Sequence, residues 1–165
     1  MKKLLLSAAL LLCMCIGMNA QPKILWDGPT GLDVKFKRCY VQGSRCIIDY
    51  TITNNTGKDI SQISTDGWVG YEPTAYDDEG NRYKCELNGG DFDNQQSSIG
   101  YVCMKGCATP LPKDITIKAH IVITNLDEYA SNLTLYKHYY HVEFSNGQIL
   151  NQVKLEIRNI PIPRE

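Results

Sequence analysis

A chain of 165 residues, 43% hydrophobic and 21% charged, can bury one sizeable core but not two comfortable ones. Its formal charge is −1 at pH 7, from 17 basic and 18 acidic residues, and no linear basic cluster of the kind that neutralises phosphates stands out. Nucleic acid is therefore not an expected partner.

The opening MKKLLLSAALLLCMCIGMNA sets Lys2 and Lys3 ahead of an apolar run from Leu4 to Met18 and ends on Ala20. That is the layout of a secretory signal peptide over residues 1–20, with an apolar core too short and poorly flanked for a stable membrane span. Met18 is larger than the usual residue at its position, so the cut can fall a residue or two away. Cys13 and Cys15 raise the alternative of a lipid anchor, but Leu12 and Met14 precede them, where a lipidated cysteine normally follows a small residue. Cleavage removes two lysines and takes the formal charge from −1 to −3. No second apolar run of spanning length follows, so secretion or periplasmic residence is expected, with no membrane span.

Residues 21–31 read as an N-terminal extension and 32–165 as the domain. "LDVKFKRCYV" (32–41) carries Val34, Phe36 and Tyr40 on one face and Lys35 and Lys37 on the other. "CIIDYTIT" (46–53) follows, and a three-residue loop Val41-Gln42-Gly43, with Gly43 left-handed, keeps Phe36 and Tyr40 on the face of Cys46, Ile48 and Tyr50. "NNTGKD" (54–59) is a loop of turn formers. Further strand candidates are 68–76, 81–87 and 99–104. In 115–124, Ile115, Ile117, Ala119, Ile121 and Ile123 alternate with Thr116, Lys118, His120, Val122 and Thr124, giving one buried and one mostly wet face. "DEYAS" (127–131) is the one place for a helical turn. In 141–157, Asn146-Gly147 between two strand patterns signals a hairpin with a type I′ turn. Before it, Leu133 and Leu135 share one parity while Val142 and Phe144 share the other, which places a bulge near 137–141 or a change of sheet. Seven to nine strands over this length suit an all-β, immunoglobulin-like antiparallel β-sandwich.

The segments "VKFKRCYV", "IDYTITNNTGKDI", "AYDDEGNRYK", "LPKDITIKAHIVITNL" and "VKLEIRNIPI" resemble the small secreted immunoglobulin-like domains of bacterial cell envelopes, over most of residues 32–162. Each piece is a sandwich element, not a catalytic signature. The resemblance implies a fold and a location and names no ligand.

Five cysteines survive cleavage: Cys39, Cys46, Cys85, Cys103 and Cys107. In an exported chain they tend toward disulfides, and the odd count leaves one over. No spacing matches the CxxC of compact zinc sites or of thioredoxin-like pairs. A Cys39–Cys46 bridge needs a bulge, or a two- or four-residue loop, to bring both sulfurs to one face. Cys85 with Cys103 or Cys107 is the second candidate.

His138 and His141 point to opposite sides of a regular strand, and His120 to a wet face, so surface histidines are expected. Asp77, Asp78, Asp91 and Asp93 are the weak candidates for calcium, against the plainer reading of polar turns. Trp68, Tyr71, Tyr139 and Tyr140 are a possible stacking platform, against structural roles for tyrosine on a pleated sheet. Glycine-rich phosphate loops, GxSxG and HExxH are absent. The reading is a secreted, non-enzymatic binding, adhesion or structural accessory domain with no cofactor, its partner an envelope or extracellular protein or glycan. The rival is a carbohydrate- or calcium-binding accessory domain, and a hydrolase stands third.

Overall fold

Two-residue periodicity becomes ten β-strands in the computed structural model, which describes residues 21–65, 73–84 and 109–164. They are β1 (Lys23–Trp26), β2 (Leu32–Gln42), β3 (Arg45–Asn54), β4 (Ile60–Thr65), β5 (Thr74–Asp77), β6 (Arg82–Lys84), β7 (Thr109–Leu111), β8 (Thr116–Ile123), β9 (Asn132–Phe144) and β10 (Ile149–Pro161). The protein is all-β. Seven strands form one antiparallel sheet, β1-β10-β9-β4-β7 with β5 on β9 and β6 on β5, and three form the other, β2-β3-β8. The expected extension 21–31 thus contributes β1, paired along β10 from Lys23↔Arg158 to Trp26↔Leu155. Of the expected strand 68–76, the described part is β5; the candidate 99–104 lies outside the described residues. No helix among the described residues is long and apolar enough to cross a membrane.

β9 is the spine of the larger sheet. β10 lines one edge, while the other is shared end to end: β4 pairs with residues from Phe144 to Tyr140, and β5 with residues from Lys137 to Leu133. Between the sheets, Ile48, Tyr50, Ile52, Ala119 and Ile121 meet Ile63, Leu133, Tyr136, Tyr140, Val142, Leu155 and Ile157 in one core, all buried. Each fully buried isoleucine or leucine there stabilises the fold by about 1.5–3 kcal/mol. Asn54, itself buried, ties in the 54–59 loop: its Nδ2 donates to the carbonyls of Lys58 and Leu111, both at 2.8 Å, and its Oδ1 accepts from Thr56.

The two hairpins exchange their expected turns. β2 and β3 close through a two-residue loop, since Gln42 pairs with Arg45, and Gly43 alone takes positive φ (62°), as a type II′ turn requires. Between β9 and β10, Phe144 accepts from the Gly147 N–H at 2.9 Å, and Gly147 rather than Asn146 takes positive φ (84°). That is a three-residue loop with a bulged glycine, in place of the type I′ turn. A register shift between Phe36 and Arg38 inserts Lys37 as an extra residue in β2. Phe36 keeps its inward face, but Cys39 and Val41 take the inward positions expected for Tyr40.

The parity change in β9 lies earlier than expected. Leu133 and Tyr136 both face the core, and the switch occurs across Thr134–Leu135. β10 switches beside it, with Ile157 and Ile160 inward and Asn159 at φ 56° between them. At 127–131 the chain makes a turn, not a helix: Ala130 donates to the Asp127 carbonyl and Tyr129 to its side chain. Ile115 sits ahead of β8 and is exposed.

Candidate functional site

Pairing across the three-stranded sheet assembles on its outer face what the sequence keeps apart. Lys35 pairs with Thr51 and Thr51 with Lys118; Arg38 pairs with Asp49 and Asp49 with His120. Around the Lys37 bulge, Lys37, Arg38, Asp49, Tyr50, Thr51, Lys118 and Ala119 line a hollow of about 250 Å³. The one carboxylate among its described lining residues is taken: Arg38 Nε donates to Asp49 Oδ2 at 2.7 Å, and the guanidinium lies 4.7 Å over the Tyr40 ring. Burial lowers the pKa of His120 and outweighs the opposing pull of Asp49, so the imidazole is neutral at pH 7. Lys37 and Lys118 make no ion pair or hydrogen bond with the described residues. The hollow is locally cationic, and an anionic group is what it suits. The bulge is the device that sets it up, since an unpaired extra residue re-aims the side chains beside it.

On the opposite face of the same hairpin lie Cys39 and Cys46. Their sulfurs are 3.3 Å apart and unbonded; Cys39 is half-buried and Cys46 buried. Cys39 pairs with Ile48 and Cys46 with Val41, so the two cysteines are diagonal neighbours, not directly opposed ones. Of the shape changes named from the sequence as able to unite them, the two-residue loop is the one that does so; the bulge at Lys37 lies outside the segment between them. The hydrogen bond from Cys46 lowers the pKa of Cys39, and the same bond, with burial, raises that of Cys46. Cys85, Cys103 and Cys107 lie outside the described residues.

Asp77 and Asp78 act as turn-builders. Asp77, at the end of β5, accepts from the Asn81 N–H at 2.7 Å, the Asn81 side chain at 2.9 Å and the Tyr83 hydroxyl at 2.6 Å. Asp78 accepts from the backbone N–H groups of Ser131 and Asn132 at 3.0 and 3.1 Å, and from the Ser131 hydroxyl at 2.5 Å. Burial disfavours both charges, but these donors outweigh it and lower both pKa values. Tyr83, half-buried beside Asp77, is pushed up to about 12 by desolvation and its hydrogen bond to that carboxylate. The described half of the calcium set therefore spends its oxygens on donors of the chain itself. Asp91 and Asp93 lie outside the described residues, and among the described residues no three His, Cys, Asp or Glu side chains are grouped to hold a metal ion.

The aromatic platform loses one member. Tyr140 is fully buried, because β9 directs it inward with Tyr136 and Val142. There its hydroxyl meets that of Tyr50 across the two sheets, and Trp26 packs edge-on against its ring at 5.7 Å. Tyr139 faces outward and is half-buried, with Lys137 Nζ 5.5 Å above its ring. Trp68 and Tyr71 lie outside the described residues. Tyr129, which sequence reasoning did not single out, is 74% exposed.

His138 also departs from expectation. It is fully buried: its ring stacks on Tyr140 at 4.5 Å, its Nδ1 bonds the Tyr136 hydroxyl at 2.6 Å, and its Nε2 has no hydrogen-bond partner among the described residues. Desolvation lowers its pKa to about 3. The parity of Tyr136, His138, Tyr140, Val142 and Phe144 was the available signal, once the switch is placed at 134–135 rather than at 137–141. His141, one strand position past Tyr140, bonds Asn151 at the surface. No protein-family model and no curated relative matches the chain.

Proposed function

We propose that this chain is an exported, non-enzymatic immunoglobulin-like domain that binds or supports an anionic partner in the cell envelope or outside the cell. The observation that carries the reading is the cationic hollow around Lys37 and Lys118, whose one carboxylate is engaged by Arg38. The immunoglobulin likeness has topological support. Strands β2-β3-β8 and β4-β9-β10 run in the order of the A-B-E and C-F-G strands of that sandwich. A Tyr50–Tyr140 hydroxyl contact joins β3 and β9, the strands that correspond to B and F in this reading. The non-enzymatic part rests on where the reactive groups are spent: Asp77 and Asp78 on turn donors, His138 inside the core. Export rests on the leader-like residues 1–20, and in an oxidising compartment Cys39 and Cys46 are the described pair that a disulfide would join.

Retention of the purified chain on a sulfated polysaccharide column tests the binding surface. Retention that falls with salt, and is lost in the Lys37→Glu/Lys118→Glu double variant, is the expected result. Equal retention of parent and variant overturns the surface, and turnover of ester, peptide or glycoside substrates by the pure protein overturns the non-enzymatic part.

A further inference from the structure

The two thiols on the β2–β3 hairpin differ in a way that a static staple does not need. Cys39 reaches the surface, whereas Cys46 lies behind it in the core, 3.3 Å away sulfur to sulfur. We propose that Cys39 and Cys46 form a thiol–disulfide exchange site: Cys39 takes the incoming disulfide, Cys46 resolves it, and the bond so formed stays reducible. The oxidant is an external disulfide, of a small thiol or of a partner oxidoreductase, and its supply rests on the exported reading above.

The steps balance without a further reagent. Cys39 thiolate attacks one sulfur of the external disulfide; a mixed disulfide forms and one external thiolate leaves. Its hydrogen bond with Cys39 holds Cys46 protonated in the reduced pair, and that bond is lost once Cys39 is capped. Cys46 then gives its proton to the departing thiolate and attacks Cys39 Sγ, and the second external thiolate leaves. The two protein thiols lose two electrons, and the external disulfide gains them.

Register supplies the reason for reversibility. Directly opposed residues across an antiparallel pair sit about 4.5–5.5 Å apart at Cα, but diagonal ones about 7–8 Å, beyond the usual disulfide range. Cys39 and Cys46 are a diagonal pair. A bond across such a diagonal pair draws the hairpin in, and a strained bond is the more readily reduced. The same movement acts on a neighbour, because the Ser44 carbonyl of the turn accepts from Leu126 N–H at 3.0 Å.

The test uses the full chain, reduced and then exposed to oxidised glutathione, with peptide mass mapping to separate Cys39 and Cys46 from the other cysteines. In Cys46→Ser the glutathione adduct is expected to accumulate at Cys39. In Cys39→Ser, Cys46 is expected to react roughly tenfold more slowly or not at all, as its burial dictates. In the unmutated chain, a brief pulse of limiting alkylator is expected to label Cys39 before Cys46, which needs no variant to fold. Equal rates at the two positions, or labelling of Cys46 first, overturn the division of roles. A Cys39–Cys46 bond that survives reduced glutathione until the fold itself melts overturns reversibility. Because the oxidant is added by hand, these outcomes stand apart from export: a chain retained in the cytosol still shows the asymmetry in the tube, and fails only to be found oxidised in cells.

Discussion

The two faces of the three-stranded sheet come from alternate residues of the same strands, yet they handle polar groups in opposite ways. Inside, Tyr50 reaches across to Tyr140, and His138 stacks on Tyr140, each hydroxyl or ring buried between the sheets. Outside, Arg38 pairs with Asp49, while Lys37 and Lys118 around the hollow make no ion pair among the described residues. The inner face spends its polarity on specifying one packing; the outer face keeps charge available. Stability should therefore respond to inner substitutions and to acid, and binding to outer ones.

The largest expected effect is acid destabilisation through His138. Its folded pKa, about 3, lies below the ordinary 6.5, so on acidification the unfolded chain takes up a proton first. Stability is intact above pH 6.5 and falls as pH drops toward 3, by roughly 1.4 kcal/mol per pH unit. Thermal melts between pH 7 and pH 4 check this. His138→Phe should flatten that slope, and an unchanged slope in the variant would sink the assignment. Asp77 acts in a different window: its lowered pKa contributes stability above the ordinary carboxylate value and loses it only below.

Next comes Asp77→Ala, which strands the Tyr83 hydroxyl and Asn81 donors and should cost about 1.5–3 kcal/mol by denaturant melts. Tyr140→Phe removes one half of the inter-sheet hydroxyl contact and should cost about 1 kcal/mol. Smallest for stability is the outer face: Lys37→Gln and Lys118→Gln should each stay within about 0.5 kcal/mol, as surface changes do. If instead these lysine variants melt like the inner ones, the division between faces is wrong.

Much of the sandwich could be read from period-two patterns alone. The buried set of β8, from Ile117 to Ile123, follows its alternation, although Val122 on the other face is buried too. Irregularities were harder. A bulge is one extra residue with no letter of its own, so nothing in "KFKRC" marks Lys37 as unpaired, and Tyr40 and Cys39 exchanged faces. His138 went astray by the same route, because one misplaced parity switch turns a strand's whole inner set outward. The cationic hollow was invisible for a different reason: its lysines stand far apart in the chain and meet only through the register of β2, β3 and β8.

One further consequence comes from the shared edge of β9. Along that edge β4 pairs as far as Thr65, opposite Tyr140, and β5 pairs from Thr74, opposite Lys137. Those two posts stand roughly 10 Å apart along the strand. Foreign peptide grafted between them would meet anchors already fixed by their own ladders, and each doubling of its length would add only about 0.6 kcal/mol in closure entropy.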